Sequence, residues 1–271
     1  MRGTTMRVLI GRMWMMVLAG VALSCAALTA CDRPAPPPRI AAAADLRLAL
    51  TEIAAAFERD TGRKVDLVFG SSGNFYRQLQ QGAPFAMFLS ADEEYVLDLA
   101  KAGWTTDQGR LYAVGRLALI APKASPLKVD EGLEGLRMAL ARGDIRRFAI
   151  ANPDHAPYGR RAREALEQAG LWQPLEPHLV LGENVSQALQ FAIDGGAQGG
   201  IIAWSLVQDP ALGARADFAL IPAELHAPLR QRMVLMRSAD ETARRFYAYI
   251  DQPPARAILD RHGFALPSAA N

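Results

Sequence analysis

From residue 40 onward, short apolar runs alternate with stretches of helical periodicity, and this alternation constrains the fold more than any other feature. Runs at 39–44, 65–69, 87–89, 117–121, 148–151, 179–181, 199–203, 218–221 and 231–236 are too short for buried helices and read as strands. Between and after them lie amphipathic segments at 46–61, 74–81, 93–102, 159–169, 185–194, 239–250 and 254–261. In the first, Leu46, Leu50, Ile53, Ala54 and Phe57 share one face. Gly103 and Gly170 stop two of the others. Strands alternating with helices of this length predict an α/β fold with mostly parallel sheets. Periodicity leaves open whether there is one sheet or two.

The first thirty residues follow another rule. Arg2, Arg7 and Arg12 are the only charges before Cys31, and an apolar run of about 18 residues follows them. A basic start, an apolar centre and small residues before a cleavage point make an export signal over 1–30. The alternative, a membrane-spanning anchor, would be at the short limit for a span. Leu28-Thr29-Ala30-Cys31 resembles a bacterial lipobox, which implies lipid on Cys31. Residues 32–39, with Pro34, Pro36, Pro37 and Pro38, read as a semi-rigid spacer between lipid and folded domain. Loss of three arginines and no acid takes the formal charge from +2 to −1. That balance, with no basic block, offers no handle for nucleic acid. Cys25 leaves with the signal and Cys31 takes the lipid, so the mature chain has no disulfide.

Four places share one layout, a strand followed by a turn of small or polar residues and a helix start. They are Ala43-Ala44-Asp45-Leu46, Gly70-Ser71-Ser72-Gly73-Asn74, Pro157-Tyr158-Gly159 and Glu183-Asn184-Val185-Ser186. Helix starts carry amides without intrahelical partners and a dipole that favours negative charge, so each is able to hold an anion. Each also has an ordinary explanation, since Asp45, Ser71, Ser72 and Asn184 are common helix caps. Spacing alone does not bring the four together.

As a set the motifs are family-specific. Ala42-Ala43-Ala44-Asp45-Leu46, Phe69-Gly70-Ser71-Ser72-Gly73-Asn74, Phe88-Leu89-Ser90-Ala91-Asp92, Asn152-Pro153-Asp154-His155-Ala156-Pro157-Tyr158-Gly159, Glu183-Asn184-Val185 and Arg261-His262-Gly263-Phe264 occur in the order and spacing of one group. From about residue 40 to 266 the chain resembles the periplasmic molybdate-binding proteins of bacterial ABC importers. The resemblance implies a type II periplasmic binding protein fold: two α/β lobes with a ligand cleft between them. Lobe 1 would be discontinuous, 40–115 plus 228–271, and lobe 2 would cover 116–227. It implies a monomeric carrier rather than an enzyme, with no cofactor and no free metal cation. The carrier would bind molybdate or tungstate in the periplasm, deliver it to an inner-membrane permease and be held to the membrane by its lipid.

The resemblance also implies the ligand contacts. They fall on Asp45 with Ala44 beside it, Ser72 with Ser71 adjacent, Tyr158, and the Val185 amide next to Asn184. Some members add a tyrosine hydroxyl where this chain has Ala203, and Tyr158 is expected to supply one instead. A set of neutral donors suits a tetrahedral dianion, which offers only acceptors. Donors to a charged group contribute roughly 1.5–3 kcal/mol each. Six of them, roughly 9–18 kcal/mol gross on that scale, are compatible with the about 12 kcal/mol of a nanomolar site. Asp45 is out of place in such a set, because a carboxylate aimed at a dianion repels it. The expectation is that its side chain turns away and caps its own helix. Two other functions stay in view. One is a related carrier for another oxyanion or a phosphorylated ligand. The other is a serine hydrolase using Ser71 or Ser72 with His155, which requires a serine–histidine hydrogen bond oriented by a third group. His155, His178, His226 and His262 are too dispersed to show metal-ligand spacing.

Overall fold

The computed structural model describes residues 36–267. The export signal, Cys31 and the start of the proline spacer lie outside the described residues. The strands are β1 (Arg39–Ala43), β2 (Asp66–Gly70), β3 (Met87–Ser90), β4 (Arg110–Gly115), β5 (Leu117–Pro122), β6 (Phe148–Ala151), β7 (Leu179–Gly182), β8 (Gly199–Ala203), β9 (Ala216–Leu220) and β10 (Leu229–Leu235). The α-helices are α1 (Arg47–Thr61), α2 (Ser72–Gln80), α3 (Glu93–Lys101), α4 (Glu134–Ala141), α5 (Pro157–Gln168), α6 (Trp172–Leu175), α7 (Val185–Ile193), α8 (Glu241–Ile250) and α9 (Pro253–Arg261).

The strands form two five-stranded sheets, ordered β2-β1-β3-β10-β4 and β7-β6-β8-β5-β9. The alternation predicts mostly parallel sheets, and that is corrected here. β1 pairs in parallel with β2 and β3, and β6 with β7 and β8. β10 is antiparallel to β3 and β4, and β5 is antiparallel to β8 and β9. The reversed strands are those next to the passages between sheets. The chain leaves the first sheet at Gly115, enters the second at Leu117, and returns between Leu220 and Leu229. Leu229 pairs directly opposite Gly115, so the two crossings run side by side.

Each sheet is covered on its faces by helices. In the first, Ile40, Ala42, Met87, Leu89, Met233 and Leu235 face a cluster that includes Leu50, Ile53, Phe57 and Phe246 of α1 and α8. The intervening Ala41, Phe88 and Val234 face Phe75, Leu79, Val96 and Leu99 of α2 and α3. This is the two-residue period of a strand buried on both sides, which explains why these runs are uniformly apolar. Phe57 meets Phe246 edge-on at 5.1 Å between ring centroids, and Gly62 closes α1 in the left-handed conformation at φ 69°.

Three elements carry little sequence signal. β4, which spans Arg110–Gly115 and is followed by Arg116, is not among the runs that read as strands, and only β5 is. α4 begins after Leu133, which holds a positive φ of 62° and supplies no side-chain cap. The carboxylate of Asp130 accepts from the Glu134 and Gly135 amides instead, at 3.0 and 2.6 Å. α6 is a single turn of four residues.

The start of α5 is seated against the end of β6. A Cβ on Gly159 would overlap the backbone carbonyl of Ala151. Overpacking of this kind costs ~1–3 kcal/mol. Gly159→Ala is therefore expected to lower unfolding free energy by about that amount in urea titration, and an unchanged midpoint would show that α5 shifts freely.

Candidate functional site

The four strand–turn–helix junctions converge. Ala44, Asp45, Ser71, Ser72, Tyr158, Asn184 and Val185 all line one cavity, with Ala43, Ala91, Ala156 and Pro157 filling the gaps. The cavity is small, about 10 Å³, far below the ~300–1,000 Å³ of pockets for drug-sized ligands. Its lining contains no lysine, arginine or histidine. Among the described residues, no group of three His, Cys, Asp or Glu is placed to hold a metal ion.

Local capping decides which amides remain free. Asn184 accepts from the Ser186 and Gln187 amides at 3.0 and 3.1 Å, which leaves Val185, the first residue of α7, with no intrahelical acceptor. The Ser71 hydroxyl accepts from the Asn74 amide at 3.4 Å as cap of α2, leaving the Ser72 amide in the same position. Tyr158 follows Pro157 in the first turn of α5, where again an amide has no partner in its own helix. Asp45 sits inside a short 3-10 turn, Ala44–Leu46, that leads into α1. The Ser72 hydroxyl is 1% exposed and accepts from the Ala91 amide at 3.0 Å. No bond among the described residues takes its hydrogen.

The junctions of the two sheets touch across the cavity. Ser186 donates to the Ala44 carbonyl at 3.0 Å and Ser205 to the Asp45 carbonyl at 2.8 Å. The Gly73 amide donates to the His155 carbonyl at 3.0 Å. Arg160 of α5 pairs with Asp92, cap of α3, at 2.9 Å. These contacts describe a closed cleft.

Two expectations are corrected. Asp45 does not cap its helix; neither the 3-10 turn nor α1 has a side-chain cap. Its Oδ2 instead accepts from Gln231 Nε2 at 2.6 Å and from the Tyr158 hydroxyl at 3.0 Å. The Tyr158 hydroxyl therefore spends its hydrogen on Asp45 rather than on the cavity, and only its amide remains as a donor there. Tyr112 donates to Gln231 Oε1 at 2.7 Å and completes the network. Gly115 lies against it, since a Cβ there would come within 2.7 Å of Gln231 Nε2. Sequence reading missed Gln231 and Tyr112. Gln231 stands between Arg230 and Arg232 in β10, so nothing in the local sequence marked it as a buried amide.

Burial pushes the Asp45 carboxyl up to about 6, against the opposing hydrogen bonds from Gln231 and Tyr158 and smaller ones from the Asp45 and Leu46 amides. Burial, reinforced by the Asp45 charge, also holds the Tyr158 hydroxyl well above the ordinary phenol range. Asp45 Oδ1 has no well-aligned hydrogen-bond partner among the described residues.

The hydrolase arrangement meets its distance requirement. Ser71 Oγ lies 2.9 Å from His155 Nδ1, and His155 Nε2 lies 3.5 Å from Glu183. The Ser71 hydroxyl also lies 2.7 Å from the His155 carbonyl and accepts from the Asn74 amide at 3.4 Å, so it ties the start of α2 to the turn before α5.

The raised Asp45 pKa has a consequence for stability. The folded protein holds this proton more tightly than the unfolded chain, whose carboxyl titrates near 3.8. The contribution is full below about pH 4 and is lost as pH rises through about 6, a swing of ~3 kcal/mol. Asp45→Asn is expected to be more stable than the parent at pH 7.5 without ligand, with the difference vanishing near pH 4. Melting curves across that range check this.

The comparisons with known proteins agree with the geometry. Residues 38–265 match the family model described as bacterial extracellular solute-binding protein. The chain is 36% identical over 228 residues to the molybdate-binding protein ModA of Rhodobacter capsulatus, covering 83% of this chain and 86% of that one. It is 35% identical over 244 residues to ModA of Azotobacter vinelandii, covering 89% and 94%. The solved structure of the Azotobacter vinelandii periplasmic molybdate-binding protein superposes with a TM-score of 0.77 at 31% identity, covering 85% of this chain and all (100%) of that one. A sulfate-binding protein, SubI of Mycobacterium tuberculosis, shares the fold at a TM-score of 0.70 and 14% identity. Two mixed sheets, a closed cleft of neutral donors and these matches place the chain in the bacterial extracellular solute-binding family, among the periplasmic molybdate-binding proteins.

Proposed function

We propose that this protein binds molybdate in the periplasm and delivers it to an ABC permease. The observation that carries the reading is the meeting of four helix starts on one small cavity without a cationic side chain. The Ser72 hydroxyl and the amides of Ser72, Tyr158 and Val185 are its donors, with the Asp45 amide as a further one. Ala44, Ser71 and Asn184 shape the wall, the last two by capping the helices whose amides do the binding. Fixed neutral donors satisfy a tetrahedral dianion and disfavour any ligand that brings its own hydrogen. Tungstate, of nearly the same size and charge, is proposed as a second ligand. The protein acts as a carrier and not as an enzyme, in keeping with the solute-binding family whose model it matches.

The two sheets and their helices form two lobes, 40–115 plus 228–271 and 116–227, in this reading. The paired crossings beside Gly115 and Leu229 act as the hinge. Closure around the anion, a hinge-type transition, would present both lobe faces to the permease. Cys31 carries the lipid, and the monomer stays tethered at the inner membrane through the proline spacer.

Calorimetric titration of residues 32–271 with molybdate, tungstate, sulfate and phosphate tests the ligand. Tight binding of the first two is expected, and no heat with any of the four overturns the reading. Ser72→Ala removes one charge-assisted donor and is expected to weaken molybdate binding ~10- to 100-fold. For the anchor, Cys31→Ser is expected to move the full-length protein from the membrane fraction to the soluble periplasmic fraction and to abolish labelling by a fatty-acid probe.

A further inference from the structure

Asp45 lines the anion cavity, and its two oxygens have opposite surroundings. Oδ2 accepts two hydrogen bonds, from Gln231 Nε2 and the Tyr158 hydroxyl. Oδ1 is buried and accepts no well-aligned hydrogen bond among the described residues, the Asp45 and Leu46 amides lying only close enough to favour the charged form weakly. A charged carboxylate would leave a poorly compensated acceptor there, in a place where buried polar atoms are otherwise paired. A neutral carboxylic acid fits better. Its carbonyl oxygen is Oδ2, which takes both donors, and its hydrogen sits on Oδ1 as a donor with no acceptor in the protein. Resting on the reading of the cavity as an oxyanion site, we propose that Asp45 binds in its protonated form. Its Oδ1–H donates to the bound oxyanion, so that the protein takes up one proton with each anion.

The surroundings support this assignment. The side chains facing the carboxyl are Gln231 from β10 and Tyr158 from α5, with Tyr112 of β4 behind Gln231. No lysine, arginine or histidine is hydrogen bonded to it among the described residues. The nearest other titratable pair at the cavity rim, His155 and Glu183, contacts Ser71 and Asn74 on the opposite junction. Without ligand, burial already brings the carboxyl to about 6. A dianion placed beside it acts in the same direction, because a like charge disfavours ionisation. At pH 7.5 the free protein is therefore mostly ionised at Asp45 and the complex is not. The acid adds a donor to the set without adding a cation.

The test is calorimetric titration of residues 32–271 with sodium molybdate between pH 6.5 and 8.5, where the dianion itself carries no proton. At pH 7.5 it is run in two buffers of different ionisation enthalpy, which counts the protons exchanged. The parent protein is expected to take up close to one proton per anion and to bind about tenfold more weakly for each pH unit above 6.5. Asp45→Asn and Asp45→Ser, checked for folding by melting curves, are expected to bind with no proton uptake and a flat pH profile. Tight binding by the parent with no proton exchange overturns the proposal and leaves the molybdate reading standing. Uptake that persists unchanged in Asp45→Asn overturns it too. No binding by the parent at any pH overturns the molybdate reading itself, and this proposal with it.

Discussion

A helix start leaves amides that its own helix cannot satisfy, and the organisation of this protein follows from where four such starts are placed. Strands of both sheets end at the cleft, and α2, α5, α7 and the turn before α1 begin there. A single start is a weak anion site, worth a fraction of a kcal/mol to ~2 kcal/mol. Four aimed at one volume make a binding cavity without a lysine or arginine. The caps divide the work. Ser71 and Asn184 satisfy amides deeper in their helices and leave the first ones exposed to the cavity.

The cleft is closed by bonds between junctions together with apolar contacts, Ala43, Ala44 and Ala91 packing into the cluster of the second sheet. Ser186 to Ala44, Ser205 to Asp45 and Gly73 to His155 are single hydrogen bonds across the divide. Arg160 and Arg161 both pair with Asp92, at 2.9 and 3.9 Å. Small residues permit the approach: Gly73 sits against the His155 carbonyl, where a Cβ would overlap it.

Asp45 is the point at which binding, closure and hinge meet. It stands at the cavity wall, bonds Tyr158 from the second sheet's α5, and bonds Gln231 on the strand that returns from the second crossing. Tyr112 and Gly115 extend that contact to the first crossing. A carboxyl held this way is bonded to groups from both sheets at once. Its burial keeps ionisation costly.

The sequence by itself determined the α/β alternation, most element positions, the four anion-competent turns and, through the resemblance, the residues around the cavity. These are legible because capping, periodicity and turn chemistry act over a few residues. Gly103, Asn184 and Ser71 carry their meaning in the residues beside them. Elements without such local marks escaped: α4 is capped by Asp130 from outside its own turn, and β4 is not among the runs that read as strands. Only the tertiary structure decided that the turns converge, that β5 and β10 run against their neighbours, and that Asp45 faces Tyr158 and Gln231 rather than its own helix. Tyr158 is 113 residues from Asp45 and Gln231 is 186 away. A hydrogen bond over that separation depends on how two sheets are joined through two crossings, and no local pattern in the chain records it.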